Sequence, residues 1–285
     1  MPLDQIDVDK LGAGKKTEEG KEMSFLEHLE ELRWHILRAL VAIMLGGVVL
    51  FIFYPWYFEH ILLGPKNPDF ISYKWFCRLA DVTGFKALCF SPPEFQSIAT
   101  GLAETFILSL KMAFIGGLVI SFPYVFWEVW SFIRPGLYPQ ERSVTRYVVF
   151  ICSILFLMGV CFGYFIIAPF AINFLVTYTI PGVTNMPTIQ SLINYMIMFT
   201  LPAGMIFELP IVVFFLSKLG VVTAKGMKQY RRHSIVGILV LAAIVTPPDV
   251  ITQMLIAIPL YVLYEISIYI AKRGEQLYKK GLQED

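Results

Sequence analysis

YVVFICSILFLMGVCFGYFIIAPFAINFLVTYTIPGVTNMPTIQSLINYMIMFTLPAGMIF, residues 147–207, contains no Asp, Glu, Lys, Arg or His. One helical crossing of a bilayer needs about 20 mostly apolar residues, so these 61 residues suffice for two. The run ends at Glu208, inside a segment that stays apolar to Leu216. A carboxylate at that depth is unfavourable by about 2.5–3.5 kcal/mol on insertion scales. Glu208 is therefore a candidate functional residue, with a buried structural hydrogen bond as the alternative.

Outward from this stretch the same character continues. Apolar residues make up 56% of the 285 and charged residues 16%, where soluble domains carry about 25% charged. Apolar segments fall at about 36–58, 105–133, 147–168, 190–216, 234–248 and 250–270. This predicts an all-α integral membrane protein of six transmembrane helices, the fifth and sixth short. Thr246-Pro247-Pro248-Asp249 forms a tight turn between those two, because Pro has no N–H with which to continue a helix; Asp249 either caps the turn or serves function. The net charge of +1 gives no reason to expect a nucleic-acid partner.

Sidedness follows from where Lys and Arg lie. They collect before the first helix (Lys10, Lys15, Lys16, Lys21, Arg33), between the second and third (Arg134, Arg142, Arg146), between the fourth and fifth (Lys218, Lys225, Lys228, Arg231, Arg232) and at the end (Lys272, Arg273, Lys279, Lys280). The opposite connections hold four, all in the first loop. Both termini are expected to be cytoplasmic, and the first apolar run is too long for a cleaved leader.

Residues 1–22 are polar without apolar periodicity and are expected to be a disordered cytoplasmic tail. Ser24 and Glu27 fit a capping box. Phe25, Leu29, Leu32 and Ile36 then recur at helical spacing, so an amphipathic helix over 24–35 should lie along the inner membrane surface and feed the first span. The six-helix domain occupies 23–272 and a second cytoplasmic tail 273–285. The outer loop at 59–100 carries Cys77 and Cys89, on a side where a disulfide can persist; they are either bridged or two free thiols. Cys152 and Cys161 read as apolar packing. The outer loop at 169–189 is apolar but interrupted by Pro169, Pro181 and Pro187. Pro123, Pro202, Pro210 and Pro259 fall inside helices and should kink them, giving concave walls. Gly159 and Gly163 form a GxxxG close-packing signal.

The sequence has no P-loop, HExxH, GxSxG, CxxC or His cluster, so no cofactor, metal or catalytic centre is suggested. It offers instead acids at chosen depths. Glu31 lies on the inner surface helix, where it is either a site residue or a solvated charge paired with His35 one turn on. Glu141 lies in the inner loop, as a site residue or a charge balanced by Arg142. Glu128 and Glu265 should reach inner headgroup water, and Lys111 should snorkel to the outer interface.

FLEHLEELR at 25–33, SFIRPGLYPQER at 131–142, FELP at 207–210 and TPPDVITQ at 246–253 together resemble the TatC family of the twin-arginine protein translocase. The resemblance covers about residues 23–272. It implies a concave, glove-like bundle in the bacterial inner membrane, acting as signal-peptide receptor core of a machine that exports folded proteins on the proton-motive force. It implies partners too: TatA and TatB, single-span membrane proteins, in a hetero-oligomer of several copies, and twin-arginine signal peptides. The family's two signal-peptide glutamates match Glu31 and Glu141, and its buried fourth-helix glutamate matches Glu208. Gln253 joins Glu208 as an expected groove or partner contact, and Pro135, Gly136, Pro247, Pro248 and Asp249 as structural residues. Ser143 stands where family members often carry a second basic residue, and the first outer loop is longer than usual. An ion-coupled secondary transporter with Glu208 as proton site is the rival reading.

Overall fold

Between Phe25 and Leu45 the chain has neither Gly nor Pro, and Leu, Glu, Arg and Ala, all strong helix formers, dominate. The result is one unbroken helix, α1 (Phe25–Ile52), 28 residues long, or about 42 Å at 1.5 Å per residue. The expected surface helix at 24–35 is thus no separate element; nothing in its sequence interrupts the hydrogen-bond ladder before the apolar part begins. The computed structural model describes residues 25–84, 86–90, 95–133, 145–182, 186–245 and 250–284. The tail 1–22, Pro135, Gly136, Glu141, Pro247, Pro248 and Asp249 lie outside the described residues.

After α1 come α2 (Tyr54–Tyr57), α3 (Ile71–Thr83), α4 (Glu104–Ile133), α5 (Thr145–Phe162), α6 (Ala168–Thr177), α7 (Ile189–Phe207), α8 (Leu209–Lys218), α9 (Ala224–Gln229), α10 (Arg231–Val245) and α11 (Val250–Glu284). A π turn at Gly163–Ile167 joins α5 to α6, so the expected outer loop at 169–189 is helical as far as Thr177. Pro169 would clash with the carbonyl four residues back in a regular helix, and the wider turn just before it relieves that clash. α7 and α8 are separated at Glu208, because Pro210 offers no N–H to the end of α7. α11 is a correction: a short sixth helix followed by a tail was expected, and a helix of 35 residues is found. Ala271, Lys272, Arg273, Glu275 and Gln276 favour helix, and no Pro follows Pro259.

Five of the described helical stretches are long and apolar enough to cross a membrane: His28–Ile52, Glu104–Ile133, Tyr147–Thr177, Ile189–Lys218 and Thr252–Gln276. The expected span at 234–248 corresponds to α10, whose 15 residues reach about 22 Å against a hydrocarbon core of about 30 Å.

Helices in lipid gain little from the hydrophobic effect when they meet, so close van der Waals approach must hold them together. α1 crosses α4 where Gly46 and Gly47 face Gly117. A Cβ on Gly117 would lie 2.5 Å from the Gly47 nitrogen and 2.6 Å from the Ile43 carbonyl oxygen. α5 meets α7 through the GxxxG: a Cβ on Gly163 would lie 2.5 Å from the Phe199 carbonyl oxygen. α7 is the central element. Its Leu192, Ile193, Met196 and Phe199 pack with Ile167, Ala168 and Ile172 on one side and Ile256, Leu260 and Leu263 of α11 on another.

The long first loop is ordered into a cap. Gly84 ends α3 with φ +77°, donating its N–H to the Ala80 carbonyl, a left-handed stop suited to glycine. Cys77 and Cys89 are joined as a disulfide. The bond holds Phe90 near Phe76 and Tyr73, and Phe90 packs on Phe170 of α6 at 4.2 Å between centroids. Tyr73 donates to the Pro65 carbonyl at 2.6 Å, and burial pushes its phenol pKa well up from the ordinary value. Ile98 pairs with Thr188 in an isolated bridge that ties this cap to the start of α7.

Candidate functional site

The N-terminal half of α1 presents one strip to α4: His28, Glu31, Leu32, His35 and Ala39 are half-buried there and Ile43 is buried. These residues recur every three or four positions, as one helix face requires. The i+4 pairing of Glu31 with His35 is not what orients His35. Its Nδ1–H donates instead to Glu128 Oε2 of α4 at 2.5 Å. Glu128 is only 5% exposed, which corrects the expectation that it reaches headgroup water. Tyr124, one turn earlier on α4, brings its hydroxyl beside it, and Arg38 adds a nearby positive charge. Phe132, one turn later, stacks on His28 at 4.3 Å and meets His35 edge-on at 6.2 Å. Glu31 therefore sits between two α1 residues that both grip α4. The chain leaves α4 at Ile133 directly into the motif that contains Glu141.

A second acidic centre lies at the break between α7 and α8. The carboxylate of Glu208 lies beside the Cys152 thiol and the Phe156 backbone of α5, so Cys152 does more than pack. Its Oε1 is buried with no hydrogen-bond partner. A buried acceptor left unpaired is unfavourable by about 1–3 kcal/mol. Alongside, Trp130 of α4, Val148, Val149 and Cys152 of α5 form a buried cluster against Phe126, Ile211 and Phe215.

The remaining candidates are placed as follows. Gln253 is half-buried on α11 and donates to the Leu239 carbonyl of α10 at 3.1 Å. Glu265 does not stand in headgroup water alone: Arg231 donates to it at 2.6 Å and Tyr261 at 3.0 Å. Lys111 donates to Asn194 of α7 at 2.6 Å, reaching across to a neighbouring helix. Glu104 turns back to accept from the Thr100 and Gly101 amides at 2.6 and 2.9 Å. Among the described residues no group of three or more His, Cys, Asp or Glu is arranged to hold a metal ion. Sequence reasoning noted His35 and Glu128 separately but missed their pairing. They are 93 positions apart, and no pattern within either helix links them.

A helical chain whose described residues include five stretches long and apolar enough to cross a membrane, with acids at helix contacts, is of the multi-pass membrane class. The model of the TatC family, Sec-independent protein translocase proteins, matches residues 27–259, and the chain belongs to that family. It is 34% identical over 256 residues to the Sec-independent protein translocase protein TatC of Blattabacterium, covering 89% of this chain and 96% of the relative. It is 37% identical over 272 residues to that of Koribacter versatilis, covering 95% and 93%. A crystal structure described as the twin arginine translocase receptor TatC superposes with a TM-score of 0.64 at 30% identity, over 87% of this chain and 99% of that one. A second, in the detergent DDM, gives 0.66 at 30% identity, over 86% and 99%.

Proposed function

We propose that this chain is the signal-peptide receptor core of a twin-arginine translocase, reading the paired arginines with Glu31 and Glu141 on the cytoplasmic face. The observation that carries this reading is the strip on α1. Glu31 lies half-buried between His28 and His35, both seated on the last turns of α4, and Glu141 follows α4 in sequence. Six crossings with both termini inside, α10 being the short one, bring both acids to the same side.

Arginine suits such a site because its guanidinium stays charged and presents a planar fork to a carboxylate. Each charge-assisted hydrogen bond contributes about 1.5–3 kcal/mol when sheltered. Two carboxylates can hold two adjacent guanidiniums, whereas lysine offers a point charge without the fork. The apolar part of the signal then enters a concave groove bounded by α4 and α7, where Glu208 is a polar anchor for that segment or for a partner helix. TatA and TatB are the partners, in an assembly of several copies in the bacterial inner membrane, with the proton-motive force driving transport.

Photo-crosslinking of a twin-arginine signal peptide to the full chain in membranes tests this. The Glu31→Ala/Glu141→Ala double variant should lose the crosslink while remaining folded. Undiminished crosslinking would refute the assignment.

A further inference from the structure

His28 and His35 are seven residues apart, two helical turns, and both contact the same stretch of α4. Phe132 stacks on His28 and meets the edge of His35. His35 also bonds Glu128, one turn before Phe132, at 2.5 Å. Glu31 lies three residues after His28 and four before His35, on the same face. The roll of α1 is therefore pinned on both sides of Glu31. One of the pins is a hydrogen bond to a carboxylate that is itself buried and further held by Tyr124 and Arg38. Two helices that met only through apolar side chains could roll against each other with little penalty. A buried acid tied to one imidazole cannot, because rolling would leave its oxygen without a donor.

We propose that His35 and Glu128 are a positioning pair for Glu31, fixing the rotation of α1 so that both carboxylate oxygens of Glu31 meet a guanidinium fork. This rests on the reading of Glu31 as an arginine site. The consequence is one of specificity. A bidentate contact needs both oxygens aligned, while an ammonium tolerates a tilted carboxylate. Cutting the pair should therefore erode binding of a twin-Arg peptide and leave binding of a twin-Lys peptide nearly unchanged. A role confined to stability would weaken both alike.

The experiment measures both peptides against the detergent-solubilised full chain, with spin labels at Glu30 and Ile133 reporting the distance between α1 and α4. His35→Ala should lower twin-Arg affinity about tenfold, the order expected for one sheltered charge-assisted bond, with little change for twin-Lys, and should broaden the distance distribution. His35→Asn, whose amide N–H stands close to where the imidazole Nδ1–H was, should recover most of both properties. Glu128→Gln, which keeps shape and an acceptor oxygen, should fall between. Equal twin-Arg to twin-Lys ratios in the parent and His35→Ala would overturn the proposal, as would identical behaviour of the Ala and Asn variants. Glu31→Ala separates the two claims. If it too leaves the ratio unchanged, the arginine-site reading has failed. If it abolishes the preference while His35→Ala does not, only the positioning role has failed.

Discussion

Glu208 and Cys152 face each other across the contact between the α7–α8 break and α5, with the carboxylate's Oε1 buried without a partner. An orphaned buried acceptor weakens the fold by about 1–3 kcal/mol, and such groups persist where function needs them. Removing it should separate stability from activity. Glu208→Gln and Glu208→Ala are expected to unfold at the same temperature as the parent or higher, in a thermal melt in detergent. Both should export a twin-arginine reporter several-fold more slowly. Normal export by both variants would leave the polar anchor without support.

Sidedness is open to a direct check. In a background with Cys152 and Cys161 replaced by Ser, a cysteine placed at position 31 or 141 should react with a membrane-impermeant maleimide only in inside-out vesicles. Reaction of either position in right-side-out vesicles would place the two acids on the wrong face for a cytoplasmic signal.

The Gly117 crossing makes a prediction about packing. A side chain there must displace backbone, since its Cβ would stand 2.5 Å from the Gly47 nitrogen. Overpacking typically costs about 1–3 kcal/mol. Gly117→Leu should lower the melting temperature and expose α1, which has little other support, to proteolysis near its ends. Gly237, whose Cβ would meet nothing within 4 Å, serves as control: Gly237→Leu should leave both unchanged.

The cap formed by the first loop depends on the disulfide. Its 12-residue separation corresponds to about 3 kcal/mol of lost chain freedom on the loop-entropy account. Cys77→Ser, or mild reductant applied from outside, should release Phe90 from Phe170 and make residues 84–100 sensitive to added protease. The α4–α5 and α7–α11 core should stay intact. Sensitivity that does not change on reduction would show that the aromatic contacts hold the cap alone.

Much of the architecture could be read from the chain because a bilayer imposes long apolar runs, and α4 at Glu104–Ile133 sits where hydropathy put a span. Helix ends were less legible. The π turn at Gly163–Ile167 let the chain pass Pro169 in helix, and polar residues after position 270 continued α11 where apolarity alone suggested a stop. The cap helix α3 carries Tyr73, Phe76, Cys77 and Ala80 at helical spacing, but its seat against α6 depends on the cystine and on aromatic contacts that spacing alone does not reveal. At the site, the uncharged run ending at residue 207 singled out Glu208, and the family resemblance singled out Glu31, one at a time. Their partners, the His35–Glu128 bond and the Cys152 thiol, belong to other helices and depend on how those helices cross.

Recognition of paired arginines is the claim on which the rest depends, and equilibrium binding of two peptides differing only in that pair tests it most directly. With the purified full chain, replacing Arg-Arg by Lys-Lys should weaken binding roughly 10- to 150-fold, the equivalent of about 1.5–3 kcal/mol, and Glu31→Ala should abolish the difference. Equal affinity of the parent for both peptides would contradict the account.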